Sequence, residues 1–414
     1  MKSRICLAAV LLFAGGAFAR AELRLHTDLE LQPRTGPSFS EDGPDAAAYG
    51  ITAHYSLGSR TNAFEQQHLV ATFSHFDDLF PFHTVSPAGH AWDFRRPPDL
   101  PQITYFHAGS RYSLEEYLAH LPITGLLIAK NDEILFEGYQ YARTDHDRFT
   151  SQSMAKSIVG MLVGIALENH SLASVSDTAS MYVPELRTAD YGNATIRDLL
   201  HMSSGVACQA PEQDSGSIGL PGLASNCKQA APAGTQFRYS AADSEVLGLV
   251  LSRAVKMPLA LFLQQKIWQN IGTESKATWT IDASGRELPF CCFNATLRDY
   301  ARFARLLASD GSWNGRQLIP SHWILDATTV KDSDAQLEPG KPIPFFGYGY
   351  QLWIFPGPRR MFALLGANGQ RIFVDPVSKL ILVQTAVMKE AMDRTKDKEM
   401  IGLWLSLVHH YGAS

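Results

Sequence analysis

The chain has 414 residues, 45% of them hydrophobic and 19% charged, with a formal net charge of -5. This is enough chain and enough apolar material for a large core, in one or two domains with elaborations. The mild acidity gives no hint of nucleic-acid binding, no basic stripe is visible, and no nucleic-acid partner is expected.

Residues 1–21 read as a secretory signal. Lys2 and Arg4 form a charged end, residues 5–18 an apolar run too short to span a bilayer comfortably, and Ala17-Phe18-Ala19 or Ala19-Arg20-Ala21 a small-x-small cleavage site. The expectation is an exported protein, periplasmic or secreted, with no membrane span once the signal is removed. Four cysteines then remain: Cys208, Cys227, Cys291 and Cys292. In an exported chain they permit disulfides. Cys208–Cys227 would close a loop of about twenty residues and stabilise by about 3 kcal/mol; four buried free thiols are the alternative. No Cys/His spacing suits zinc, and no metal or cofactor is expected.

Residues 22–110 are rich in Pro, His and aromatic residues with weak periodicity, which suggests an irregular arm around a body formed by 111–414. Ser113 with Glu116 is a capping box for a short helix. Strand-like segments at 123–129 and 133–139, joined around Asn131-Asp132, read as a hairpin.

Next comes the stretch that organises the chain, residues 149–170. From 158 to 167 it carries no charge and reads as a helix buried on most faces, with Thr150, Ser151 and Ser153 as candidate caps. Lys156, one turn in, is an anomaly, because a bare ammonium is costly in a buried helix. Ser153 lies three residues before it, so hydroxyl and amine share a face. Burial favours a neutral amine, which can take the proton of a neighbouring hydroxyl and make it a nucleophile. The bare Ser-x-x-Lys pattern is weak, since Ser225-Asn226-Cys227-Lys228 repeats it in a loop-like stretch. The buried helix start, where backbone N–H groups favour developing negative charge, separates Ser153 from that copy.

Residues 171–280 look mainly helical, with a loop at 205–234 that could shape a substrate opening. Asn193-Ala-Thr-Ile-Arg-Asp198 and Asn294-Ala-Thr-Leu-Arg-Asp299 echo each other as two capped helix starts. Tyr239 precedes a helix capped by Ser240, and another helix follows at 258–270. Beyond these the reading gives a strand-like piece at 285–290, helices at 296–308 and 321–328, strands at 348–355, 361–365, 371–375 and 380–385, and a closing helix at 400–411. This order implies an α+β fold in which the early hairpin joins the late strands in one antiparallel sheet flanked by helices, with a mainly helical lobe at about 171–280.

Ser153-Met-Ala-Lys156, Leu199-Leu-His-Met-Ser-Ser-Gly205, Phe237-Arg-Tyr239-Ser-Ala241 and Gly366-Ala-Asn-Gly-Gln370 occur in that order. Residues 110–410 thereby resemble serine hydrolases similar to class C β-lactamases, and within them the 6-aminohexanoate-dimer hydrolase and esterase branch. The resemblance implies a β-lactamase/transpeptidase-like fold. It makes Ser153 the acylated nucleophile, Lys156 its proton-handling partner and Tyr239 a second acid/base. Ser153 N–H and an N–H near Gly366 would form the oxyanion hole, with Asn368 beside it in the substrate-binding set. His201, next to the Ser-Ser-Gly turn, is expected to pack or cap and not to serve as a base.

Two departures narrow the activity. Tyr239-Ser240-Ala241 lacks the family's asparagine, and Leu365-Gly366-Ala367-Asn368 replaces Lys-Thr-Gly, so no cation awaits a β-lactam carboxylate. The sequence therefore predicts a serine hydrolase acting on a small-molecule carboxylic ester or small amide. The rivals are a penicillin-binding D-alanyl carboxypeptidase or β-lactamase, and a non-catalytic binding protein on the same fold.

Overall fold

The hairpin at 123–139 forms, with Asn131 in the left-handed conformation at its turn (φ 53°), as a two-residue connection requires. It lies in an eight-stranded sheet in the computed structural model, which describes residues 36–99, 101–209 and 217–412. The expected signal at 1–21 lies outside the described residues. Two sheets organise the strands that position the site. In chain order these are β1 (Ser38–Phe39), β2 (Phe82–Val85), β3 (Ile123–Lys130), β4 (Glu133–Tyr139), β5 (Phe149–Thr150), β6 (Ala277–Thr280), β7 (Phe293–Ala295), β8 (Gly347–Tyr348), β9 (Trp353–Ile354), β10 (Phe362–Leu365), β11 (Arg371–Asp375) and β12 (Leu380–Ala386). The large sheet runs β1-β4-β3-β12-β11-β10-β9-β8, and a four-stranded sheet runs β2-β6-β7-β5. The early hairpin thus joins the late strands, antiparallel throughout except for β1, which pairs parallel with β4.

The central strands read as continuous apolar runs because both faces of the sheet are covered. Ile381 and Val383 of β12 and Ile372 and Val374 of β11 point into the core shared with the helical lobe. Leu380, Leu382 and Phe373 point the other way, onto the closing helix. Four helices matter below: α1 (Ala155–Glu168), α2 (Ala241–Val255), α3 (Leu297–Ala308) and α4 (Arg394–Tyr411). The α4 residues Met400, Leu403, Trp404 and Leu407 are spaced as one helical face and fill the second core.

The capping box at Ser113 and Glu116 is present, as are the side-chain caps of Thr195, Ser240 and Thr296. Four expectations are corrected. The stretch 285–290 is not a strand: Pro289 removes a ladder donor, Asp282 holds a tight turn with Ser284 and Arg286, and one isolated bridge joins Ile281 to Glu287. Conversely, β6 lies inside the stretch read as helical. It is buried on both faces, which erases the alternation that betrays a strand. α4 begins at Arg394, capped by Asp393, well before 400, because its first turns are polar and carry no apolar period. Finally, no side chain caps α1; a short 3-10 turn, Gln152–Met154, leads into it.

The 205–234 loop holds a small hairpin, in which Cys208 and Cys227 are directly opposed and disulfide-bonded, and a helix, Gly219–Ser225. The residues 210–216 lie outside the described residues. Ser225 donates to Pro221 O within that helix (2.8 Å) and Lys228 is exposed, so the second Ser-x-x-Lys is a surface pair.

α1 is held close to its neighbours by glycines. Trp323 Nε1 donates to Gly160 O (3.0 Å), and a β-carbon at Gly164 would overlap the Trp323 indole. Helix propensity alone favours alanine over glycine by about 1 kcal/mol. With Trp323 4% exposed and unable to withdraw, the overlap outweighs that gain. Gly164→Ala is expected to destabilise by about 1–3 kcal/mol. Urea unfolding checks this, and a variant as stable as the parent would show that the indole can move.

Candidate active site

The 3-10 turn that precedes α1 sets the geometry. Gln152 is left-handed (φ 44°), an unfavourable conformation for a residue with a β-carbon, and the chain turns sharply there into Ser153. Ser153 is half-buried, and Lys156 is 3% exposed. Lys156 Nζ donates to Ser153 Oγ at 3.0 Å and to Phe290 O at 2.8 Å. Among the described residues it forms no ion pair, so its polar partners are a hydroxyl and a carbonyl, both neutral. Two rings complete its surroundings: Nζ lies 4.8 Å from the centroid of Tyr239 and 5.9 Å from that of Phe290.

Tyr239 stands over this pair, 41% exposed, stacked on Trp353 of β9 at 5.6 Å. Its backbone is fastened on both sides to one residue: Arg238 N–H donates to Met202 O (2.8 Å) and Ser240 N–H to Met202 Sδ (3.4 Å). Met202 belongs to the Leu-Leu-His-Met-Ser-Ser-Gly turn, so that turn holds up the tyrosine. Ser153 and Lys156, one helical turn apart, are thus bonded to each other, and Tyr239, distant in the chain, brings its ring against the Lys156 amine.

The expected second oxyanion donor needs correction. Gly366 N–H donates to Gln370 O (2.9 Å), which closes the turn after β10, so it is not free. What Gly366 provides is close approach: a β-carbon there would sit 2.5 Å from Ser151 O and 3.1 Å from Gln152 Cβ. The next amide, Ala367 N–H, has no acceptor among the described residues, and neither has Ser153 N–H. Asn368 is a structural residue on its donor side. Its Nδ2 donates to Met388 O (2.7 Å), and its backbone is left-handed (φ 59°), which asparagine tolerates better than most residues. Arg371 donates to Gly366 O and Gln370 O while bonding Asp397 Oδ1 (2.6 Å), so this cation is already paired.

The beta-lactamase family matches residues 113–401. The chain belongs to that family. It is 23% identical over 341 residues to the 6-aminohexanoate-dimer hydrolase of Paenarthrobacter ureafaciens, covering 77% of this chain and 86% of that one. A Bacillus anthracis structure named as a 6-aminohexanoate-dimer hydrolase superposes with a TM-score of 0.77 at 22% identity, covering 85% of this chain and 96% of that one. A penicillin-binding protein homologue from Caulobacter crescentus does so with a TM-score of 0.55 at 15% identity, over 68% and 92% of the two chains. The fold is therefore the β-lactamase/transpeptidase one, and the protein is a serine hydrolase of the beta-lactamase family.

Sequence reading missed two groups that shape this site. One is the Phe290 carbonyl, a backbone atom that no residue type advertises. The other is Asp243, in the first turn of α2, whose position three residues after the Ser240 cap was the available signal. Asp243 is buried and accepts from Tyr191 OH (2.8 Å), Ser204 Oγ (2.8 Å) and Ser204 N–H (3.4 Å), tying the Ser-Ser-Gly turn to the helix after Tyr239. His201 packs at a tilt against Tyr350, ring centroids 4.9 Å apart, and burial pushes its imidazole down to about 4, in keeping with a packing role.

Burial pushes the Asp243 carboxyl up to about 7, against the opposing pull of its Ser204 and Tyr191 hydrogen bonds. The folded protein then keeps a proton that the unfolded chain releases above about pH 4. Stability from this group falls as pH rises from about 4 to about 7, and the loss is complete above that window. Asp243→Asn removes the titration. Relative to wild type, its melting temperature is expected to rise progressively between pH 4 and pH 7 in calorimetric scans; a constant offset would mean the carboxyl is ionised throughout.

Proposed function

We propose that the protein is an exported hydrolase that cleaves a carboxylic ester or small amide through an acyl-enzyme on Ser153. The observation that carries this reading is the 3.0 Å contact between Lys156 Nζ and Ser153 Oγ in a setting where the lysine has only neutral partners. A neutral amine at that distance takes the hydroxyl proton as Oγ bonds to the substrate carbonyl carbon. The carbonyl electron pair moves onto oxygen, where the unengaged N–H groups of Ser153 and Ala367 are the donors we assign. As the intermediate collapses, the leaving alkoxide or amine takes a proton from the Tyr239 hydroxyl, which regains one from Lys156. Water then attacks the Ser153 ester by the reverse proton route, releasing the carboxylic acid and the free serine.

Export rests on the signal-like residues 1–21 and agrees with a cross-linked Cys208–Cys227 pair, since such bonds persist in oxidising compartments. The kinship with 6-aminohexanoate-dimer hydrolase places linear amides beside esters in the substrate panel. Penicillin turnover is disfavoured: residues 365–368 carry no charge, and Arg371 is already bonded to Asp397.

The deciding experiment is mass spectrometry of the protein quenched during turnover of a panel of p-nitrophenyl esters, anilides and linear amides. The expected result is an acyl adduct on the peptide containing Ser153, absent in Ser153→Ala. Lys156→Ala and Tyr239→Phe are each expected to lower kcat by about 10²–10⁴-fold. A protein that binds the panel without forming an adduct would revive the non-catalytic reading. Stable labelling by fluorescent penicillin, with no ester cleavage, would instead favour the carboxypeptidase.

A further inference from the structure

Cys291 and Cys292, adjacent in sequence, are joined by a disulfide. We propose that this vicinal disulfide is a positioning element of the active site, fixing the carbonyl that holds Lys156 against Ser153, and that its reduction by a dithiol turns the site off. The inference rests on the hydrolase reading above.

The pair adjoins two anchors of the site. Phe290, immediately before it, supplies the carbonyl that accepts from Lys156 Nζ (2.8 Å) and a ring 5.9 Å from the same atom. Phe293, immediately after it, exchanges two bonds with the residue two before the nucleophile. Ser151 N–H donates to Phe293 O (2.7 Å), and Phe293 N–H donates to Ser151 Oγ (3.1 Å). The two cysteines therefore bridge the lysine's anchor and the nucleophile turn's anchor.

Their own carbonyls face elsewhere. Trp279 Nε1 donates to Cys291 O (3.2 Å), while Thr280 N–H (3.1 Å) and Asn294 Nδ2 (3.2 Å) donate to Cys292 O. For the Phe290 carbonyl to face Lys156 while the next two face β6 and Asn294, the chain must reverse within these residues. It does so with Cys292 left-handed (φ 67°), a conformation a residue with a β-carbon rarely holds unaided. A covalent ring across the same two residues removes the alternatives. Opened, the segment is free to relax toward ordinary backbone angles, and the first group to move is the Phe290 carbonyl, whose partner is a single flexible lysine.

Cys291 is half-buried and Cys292 6% exposed, so an attacking thiolate meets the Cys291 sulfur first. It forms a mixed disulfide there and expels Cys292 as the thiolate, which takes a proton. The reductant's second thiol then displaces Cys291, leaving two protein thiols and one oxidised dithiol. Atoms and electrons balance with one dithiol consumed.

The experiment follows fluorophosphonate labelling of Ser153 and p-nitrophenyl ester turnover in wild-type protein equilibrated across dithiothreitol redox buffers. Differential alkylation and peptide mapping report the state of each cysteine. Expected is a fall in labelling rate and in kcat of about ten- to a hundredfold with KM unchanged, the scale of an ångström-sized displacement of a reacting group. The midpoint potential should coincide with alkylation of Cys291 and Cys292, and reoxidation should restore the rate. Cys291→Ser/Cys292→Ser should show the low kcat at every potential, with a melting temperature near that of the wild type. The inference is overturned by full activity with both thiols alkylated, by loss that tracks Cys208 and Cys227 instead, or by native, active protein in which Cys291 and Cys292 are already free. An oxidised protein never labelled at Ser153 fails differently: it removes the hydrolase reading and this inference together.

Discussion

The structure depends on keeping one amine in a dry place without a counter-ion. Lys156 is 3% exposed, and its hydrogen-bond partners are Ser153 Oγ and Phe290 O. An ammonium there gives up hydration for two neutral partners. Among the described residues no carboxylate pairs with it. That absence distinguishes this lysine from buried cations such as Arg302, which is bonded to Asp299 and Glu274. Arg302 holds structure together through paired charges; Lys156 is hydrogen-bonded to two neutral oxygens.

The rest of the chain can be understood as what holds three segments to that amine. The first is the turn before α1, kept in place by Ser151 bonded to β7 and by glycines that let the helix approach Trp323 and Tyr350. The second is the loop carrying Phe290. The third carries Tyr239, which rests on Met202 and, one turn further, on Asp243. Asp243 makes the Ser-Ser-Gly turn and the start of α2 one hydrogen-bonded unit. A motif that looks like a loop signature in sequence is thus a mount for the phenol. This explains why its serines lie inward and Tyr239 lies outward.

What could be read from sequence divides along the same physical line. Side-chain identity reports caps, apolar stripes and the Ser153, Lys156 and Tyr239 set, so the hairpin, the late strands and the buried helix after Ser153 were all legible. Backbone atoms report nothing. Whether Gly366 N–H is free or bonded to Gln370 O is decided by the register of the turn after β10, and Phe290 O becomes important only when a distant helix brings Lys156 to it. Strand β6 was misread for a related reason: with Ala277, Thr278, Trp279 and Thr280 all buried, the two-residue alternation disappears. The adjacent cysteines were visible, but sequence gives no reason to pair them with each other.

The proposed preference for an uncharged ester or amide rests on the groups around Lys156. Around Lys156 lie the rings of Tyr239, itself stacked on Trp353, and of Phe290, and the uncharged run 365–368 approaches the turn before Ser153 through Gly366. Arg371, three residues beyond that run, is 5% exposed and bonded to Asp397, so recruiting it would break a buried pair. A substrate carboxylate set against residues 365–368 would lose hydration and meet no charged side chain of that run. A neutral ester or amide incurs no such penalty, and its apolar parts gain from the aromatic wall. In the proposed reaction, the neutral surroundings that leave Lys156 without a counter-ion also favour an uncharged substrate.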